Sequence, residues 1–353
     1  HTGALRKGCL RIYDSDHCEP DTSGIDCLAV GVPITSGTIE AVGGSAKEKG
    51  KNIFVLGLLC RLFDLEVAKL TKLISEKFGK FGEDVIRNTM LAFDAGYAWP
   101  ADNIRDAYFK LKPAEADNGH PQITTDGNTA LTLGLLAAGV RYGAGYPITP
   151  WSTIMEMLRT ELQKYGGVFV QAEDELAAVS YAIGMAYSGH LAITGSSGPG
   201  LSLKMEALGW ATMAELPLIV VNVQRGGPST GLPTNVEQSD LMQAIYGSHG
   251  DTPRIVIAPQ DVEDCFYIAV EAARLAKEYS TPVIILTDQA LSSRIEAFDE
   301  PNVDEIIVFP TPDLAPRGED FKPYPIEELT RHAAPGTKIE GAPYPTVTGL
   351  EHD

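Results

Sequence analysis

Between residues 128 and 295 short apolar runs alternate with longer amphipathic stretches. LAITGS (191–196), LPLIVVNVQ (216–224), RIVIAP (254–259) and PVIILTD (282–288) are apolar in consecutive positions rather than at every second residue. A strand with one face in water must alternate, whereas a strand buried on both faces need not. Strands of the second kind, interleaved with helices, belong to a parallel sheet covered on both sides. Helices are expected at 128–138, 152–165, across EDELAAVSYAIGMAYSG (173–189), at 200–214 and at 261–278, with further strands near 139–146 and 167–171. In such a sheet, ligands bind where the carboxyl ends of the strands meet the following loops.

The flanking regions lack this regularity. Residues 1–110 open with strand-like LRIYDSD and CLAVGVPIT, followed by two helices. One helix carries Leu70, Leu73, Ile74 and Phe78 at helical spacing, the other Ile86, Met90, Phe93 and Tyr97. The polar stretch 111–127, with its proline and glycines, reads as a linker. Residues 296–353 are rich in proline and acid, show no core periodicity, and read as a connecting segment to a further domain. The abrupt start among strands suggests a piece of a longer polypeptide. The longest apolar run, LPLIVVNV (216–223), is far too short for a bilayer. A net charge of −19 repels nucleic acid and anionic membranes, so neither is expected as a partner. Five cysteines with no CxxC argue against a disulfide framework and against a zinc or iron–sulfur site on this chain; a cytoplasmic protein with no metal site of its own is expected.

Four loops at the predicted carboxyl edge carry unusual chemistry. In AGYPITPWS (144–152) two prolines stiffen the chain around Ile148 and Thr149, and Ser152 is placed to cap the next helix. The segment from Glu173 begins with three acids and then sets Ala178, Ala182 and Ala186 on one stripe, which lets a neighbouring element approach closely. Glu173, Asp174 and Glu175 lie about 100° apart around the axis, so one or two at most face a pocket, and any of them could simply complement the helix dipole. TGSSGPG (194–200) opens a helix with glycines and free N–H groups but matches neither common nucleotide-binding loop. In QRGGPSTGLPT (224–234) Arg225 stands where a guanidinium could grip a carboxylate by two hydrogen bonds, although most arginines form surface ion pairs.

Together these four motifs, in this order and spacing, resemble the α subunit of 2-oxoacid:ferredoxin oxidoreductases. YPITP stands at Tyr146 to Pro150, and the resemblance is strongest over 123–295. Residues 1–110, with KNIFVLGLLCRLFDL at 51–65, resemble part of that family's γ domain, and the ending TGLEHD resembles its connection to the next domain. The resemblance implies an α/β fold: part of a γ domain at 1–110, a linker at 111–127, and a pyrimidine-type thiamine diphosphate-binding domain at 128–295 with a parallel sheet. Glu175 is followed nine residues on by Gly184, as in thiamine enzymes. This implies that Glu175 hydrogen-bonds a ring nitrogen of the aminopyrimidine and favours its imino tautomer, which requires the carboxyl to be enclosed.

The resemblance further implies that Thr149 and Arg225 hold the 2-oxoacid, while Tyr146, Pro147, Ile148, Ser197 and Gly198 line the cofactor together with Glu175. The chain has no GDG with an asparagine pair to hold Mg²⁺ and diphosphate; TDGN (125–128) is not that motif. Both the metal and the iron–sulfur cluster are therefore implied on a β subunit, with ferredoxin, coenzyme A and a 2-oxoacid as further partners. Oxidative decarboxylation to an acyl-CoA and CO₂ is the implied reaction, leaning to 2-oxoglutarate as substrate. Pyruvate or a branched-chain 2-oxoacid, a non-redox thiamine synthase or decarboxylase half, and a non-enzymatic module are the alternatives.

Overall fold

The computed structural model describes residues 6–43, 50–104, 119–306 and 340, in two compact units, His1–Asn118 and Gly119–Asp353. In the first unit, β1 (Cys9–Asp14) and β2 (Cys27–Val32) pair in parallel. Four helices follow: α1 (Ile34–Val42), α2 (Lys51–Leu62), α3 (Val67–Phe78) and α4 (Glu83–Asn103). The expected apolar series lie on α3 and α4. Two helices escaped the sequence reading. The start of α1 lies inside the expected strand CLAVGVPIT. The run KNIFVLGLLCRL is apolar nearly all round, and as α2 it places Phe54, Leu58 and Leu62 in a core with Val32 and Ile104.

The second unit contains β3 (Gln122–Asp126), α5 (Gly127–Ala137), β4 (Tyr142–Gly145), α6 (Ser152–Glu161), β5 (Val168–Gln171), α7 (Glu175–Tyr187) and β6 (Ala192–Ser196). The chain continues through α8 (Gly198–Met213), β7 (Leu218–Gln224), α9 (Leu241–Tyr246), β8 (Ile255–Ile257), α10 (Val262–Tyr279), β9 (Pro282–Asp288), α11 (Gln289–Ser293) and β10 (Ile295–Asp299). Six strands form one parallel sheet in the order β5-β4-β6-β7-β9-β8. Alternate residues of the central strands feed two cores. Ile219, Val221, Val223, Val283 and Ile285 meet α5, α6 and α10 on one face, while Leu218, Val220, Ile284 and Leu286 meet α7 and α8 on the other. This is why β7 and β9 are buried throughout and read as unbroken apolar runs. Among the described residues no helix is long and apolar enough to cross a membrane.

Two expected boundaries move. The linker expected over 111–127 gives way to β3 at Gln122, and the connecting segment expected from 296 begins as β10. The two strands pair antiparallel, Ile123 opposite Phe298, and both residues pack into the main core. Each strand is too short and polar to be recognised alone, and its partner lies more than 160 residues away. Residues 105–118, 307–339 and 341–353 lie outside the described part.

Trp151, directly after YPITP, is fully buried, and its ring covers Gly195 of β6, where a Cβ would sit 2.3 Å from it. The indole thus fastens the loop after β4 to the end of β6. Trp151→Ala is expected to lower the stability of this unit by about 3–5 kcal/mol, through lost burial and the cavity left behind. Urea unfolding of the variant measures the loss, and Trp151→Phe should recover part of it.

Candidate functional site

All four loops leave the carboxyl edge of the parallel sheet: after β4, β5, β6 and β7. At the start of α7 the three acids divide their roles. Asp174 is the N-cap, and its carboxylate accepts from the Ala177 amide at 2.7 Å. Glu173 and Asp174 face solvent, while Glu175, one residue on, is turned inward and only 8% exposed. Ala178, Ala182 and Ala186 behind it are completely buried, which seats α7 close to the sheet. Among the described residues the enclosed Glu175 carboxylate accepts no hydrogen bond.

Gly200 is what admits that carboxylate. A Cβ at this position would lie 1.9 Å from Ser196 Oγ and 2.9 Å from Glu175 Oε1. A Cβ at Gly198 would meet nothing nearer than Asp240 Oδ2 at 3.4 Å, an ordinary contact. The glycine that matters most sterically is therefore Gly200 and not Gly198. Ser197 precedes α8, whose first turn contains Pro199, and its hydroxyl and that of Ser196 are both buried without partners. These are polar atoms of the kind a bound ring or water would satisfy.

Arg225, at the end of β7, is 6% exposed and does not form a surface ion pair. Its guanidinium donates to the Thr149 carbonyl at 2.7 Å and to the Thr230 carbonyl at 2.6 Å, and its buried Nε is unpartnered. Arg225 and Thr149 are thus brought together, but through main chain. Two guanidinium donors already tie the YPITP loop to the PSTG turn. Within YPITP, Ile148 packs against the main core, Tyr146 is half-buried, and Pro147 and Thr149 are exposed. Ser152 does not cap α6: Trp151 holds the N-cap position, and Ser152 is already helical, donating its amide to the Ile148 carbonyl.

Two clefts flank the loops. One of about 790 Å³ is lined by Asn128, Thr149, Pro150, Ser152 and Gln289 among others; the other, of about 330 Å³, by Gly198, Pro199, Arg225 and Asp240. Glu175 lines neither. Asp240 is buried and receives a hydrogen bond from Asn222 Nδ2 at 2.8 Å, while its amide donates to Gln224 Oε1. Asn222 and Gln224 were readable only as odd polar residues ending an apolar strand.

A further residue was missed altogether. Lys204 on α8 is completely buried, and its ammonium donates to the Glu175 carbonyl at 2.9 Å and lies 3.4 Å from Thr194 Oγ1. Burial pushes its pKa from 10.5 down to about 8, against the opposing pull of Glu175 and Asp174. Its signal was position: Leu201, Lys204 and Leu208 share the buried stripe of one helix.

Two outcomes follow from this geometry. Gly200→Ala should disorder the start of α8 and displace the Glu175 carboxylate, whereas Gly198→Ala should be sterically tolerated; crystal structures or chemical-shift maps of the variants decide. For Lys204 the folded pKa lies below the unfolded value, so between about pH 8 and 10.5 the unfolded chain binds more protons. The cost of burying the charge, on the order of 3 kcal/mol, is present below about pH 8 and is relieved as pH rises through that window. Stability measured across the window should lose this upward component in Lys204→Met.

Comparison with known proteins gives this geometry a context. A family model described as "Pyruvate flavodoxin/ferredoxin oxidoreductase, thiamine diP-bdg" matches residues 133–340, and one described as "Pyruvate ferredoxin/flavodoxin oxidoreductase" matches residues 1–99. The chain is 41% identical over 333 residues to the 2-oxoglutarate oxidoreductase subunit KorA of Mycobacterium tuberculosis, covering 90% of this chain and 48% of that one. It is 48% identical over 180 residues to the 2-oxoglutarate synthase subunit KorA of Archaeoglobus fulgidus, covering 51% and 52%. The structure of 2-oxoglutarate:ferredoxin oxidoreductase from Magnetococcus marinus, with 2-oxoglutarate, coenzyme A and succinyl-CoA bound, superposes with a TM-score of 0.80 at 36% identity, covering 99% of this chain and 60% of that one. The chain spans about half the length of these curated relatives. With four motifs at one sheet edge and the domain model covering more than half of its residues, the chain belongs to the pyruvate flavodoxin/ferredoxin oxidoreductase family, through that family's thiamine diphosphate-binding domain.

Proposed function

We propose that this chain is the α-subunit portion of a thiamine diphosphate-dependent 2-oxoacid:ferredoxin oxidoreductase. It supplies the pyrimidine side of a cofactor site completed by a β subunit, and 2-oxoglutarate is the favoured substrate. The observation that carries the reading is the enclosed Glu175 carboxylate, with no partner of its own, beside Gly200 and the unpartnered Ser196 and Ser197 hydroxyls. The 2-oxoglutarate assignment rests on the subunits named above and on the ligands in the Magnetococcus marinus structure. The reaction is oxidative decarboxylation to an acyl-CoA and CO₂, with electrons passed to ferredoxin, and Mg²⁺ and the iron–sulfur cluster are assigned to the β subunit. The cytoplasm is its proposed compartment.

The residues present suit the cofactor. Glu175, Ser197, Gly198 and the loop Tyr146-Pro147-Ile148 would hold its ring. When bound, thiamine diphosphate supplies the nucleophilic carbon and the electron sink for decarboxylation. Glu175, nearly excluded from bulk water, would offer its carboxyl as a hydrogen-bond partner to a ring nitrogen. The rigid loops keep solvent from that contact. In this reading Thr149, exposed at the loop tip, and the remaining N–H groups of Arg225 would orient an anionic 2-oxoacid. The carboxylate-gripping role foreseen for Arg225 is narrower here, because two of its donors already serve the loops.

In complex with the β subunit, Glu175→Gln should slow C2 proton exchange of bound thiamine diphosphate by about 10²–10⁴-fold. Exchange at the normal rate would remove Glu175 from the mechanism. Arg225→Lys should not substitute for arginine, because one ammonium cannot reproduce the fork that reaches both carbonyls. Reduced kcat and raised KM together are expected, against a raised KM alone if Arg225 only touches substrate. Reduction of ferredoxin or viologen coupled to CO₂ release, over a panel of 2-oxoacids, separates this reading from a non-redox thiamine enzyme and tests the choice of 2-oxoglutarate.

A further inference from the structure

A fully buried lysine is costly, and apolar residues of similar volume usually pack as well or better. Lys204 sits among Leu201, Met205 and Leu208 on the stripe of α8 that faces the second core, where methionine or leucine would serve packing alone. It joins three elements. It projects from α8, donates to the carbonyl of the first residue of α7 at 2.9 Å, and reaches Thr194 on β6 at 3.4 Å. That first residue is Glu175, whose side chain lies against Gly200, in the opening turn of the helix that bears Lys204. One side chain therefore connects the main chain of the acid to the glycine turn that accommodates its carboxylate.

We infer that Lys204 is a positioning residue: by clamping the Glu175 carbonyl from α8 it fixes the first turn of α7 and holds the acid at the depth and angle its ring contact requires. The inference rests on the thiamine diphosphate reading for its catalytic consequence but not for the clamp itself. Lys204 has no exposed surface, and its hydrogen bonds go to the Glu175 carbonyl and Thr194, so it acts through Glu175. Asp174 and Glu175 are the acids whose charge acts on it. Asp174 caps the same turn from outside, so the opening of α7 is held from two sides, by an exposed carboxylate on an amide and by a buried ammonium on a carbonyl.

The test uses the assembled complex with its β subunit and compares wild type, Lys204→Met and Glu175→Gln. In cofactor-free complex, hydrogen exchange of the amides at Ala177–Val179 should accelerate in Lys204→Met by about ten- to a hundredfold, the effect of losing a charge-assisted hydrogen bond, while β7 and β9 stay protected. With thiamine diphosphate added, C2 proton exchange should fall by a comparable factor, and cofactor affinity measured by calorimetry should change less than about threefold. Lys204→Gln keeps an N–H donor and should fall between wild type and Lys204→Met. If the methionine variant does not assemble, the glutamine variant carries the test. Unchanged α7 protection, or an equal loss across the whole sheet, overturns the clamp. Unchanged C2 exchange in a Lys204 variant, when Glu175→Gln has lost it, overturns the positioning role. Normal exchange in Glu175→Gln instead refutes the thiamine reading, and α7 protection still decides whether Lys204 clamps the turn.

Discussion

The site depends on a parallel sheet whose central strands have no face in water. Because β4, β5, β6 and β7 run the same way, the loops that follow them emerge on a single edge, and Thr149 and Arg225, 76 positions apart, become neighbours there. Apolar pressure from both faces sets the strands in place: α5, α6 and α10 close one side, α7 and α8 the other. What remains at the edge is polar and cannot be satisfied by the sheet. Its chemistry is decided by a few side chains that reach from one loop to the next.

Two of these are buried cations that donate to backbone carbonyls rather than to carboxylates. Arg225 ties YPITP to the turn at Thr230, and Lys204 ties α8 to the head of α7. Each removes a charge from water, which is unfavourable on its own, and each recovers part of that through strong hydrogen bonds in a low-dielectric setting. The return is geometric: loops that would otherwise move independently share one framework. Trp151 does the same with dispersion, its ring lying over Gly195. Under the proposed function, a ring held against a carboxyl would benefit from rigidity of this kind, because small displacements carry large rate penalties.

The acids at 173–175 show how one local sequence divides its labour. Glu175 opens α7, whereas Asp174 caps it in extended backbone and Glu173 lies before it, so capping and pocket roles fall to different residues. Asp174 satisfies an orphan amide in water, and Glu175 is enclosed. A one-residue shift in the start of α7 would exchange these roles, which is why the anchoring of its first turn bears on function.

Composition and periodicity were enough to establish the alternating α/β order, the buried character of β7 and β9, and the gathering of four motifs at one edge, because each follows from local spacing and burial on both faces. Helix placement left open which of the three acids turns inward, and the resemblance to thiamine enzymes, not periodicity, pointed to Glu175. Other features are settled only by distant partners. Strand β3 and strand β10 exist because they pair with each other. Arg225 is a loop clamp because the Thr149 carbonyl happens to lie within 2.7 Å. Ser152 falls inside α6 because Trp151 is drawn into the core before it. Lys204 looks like an ordinary surface lysine until packing places it in a dry interior, where its charge must find a carbonyl, and the carbonyl it finds is that of the acid.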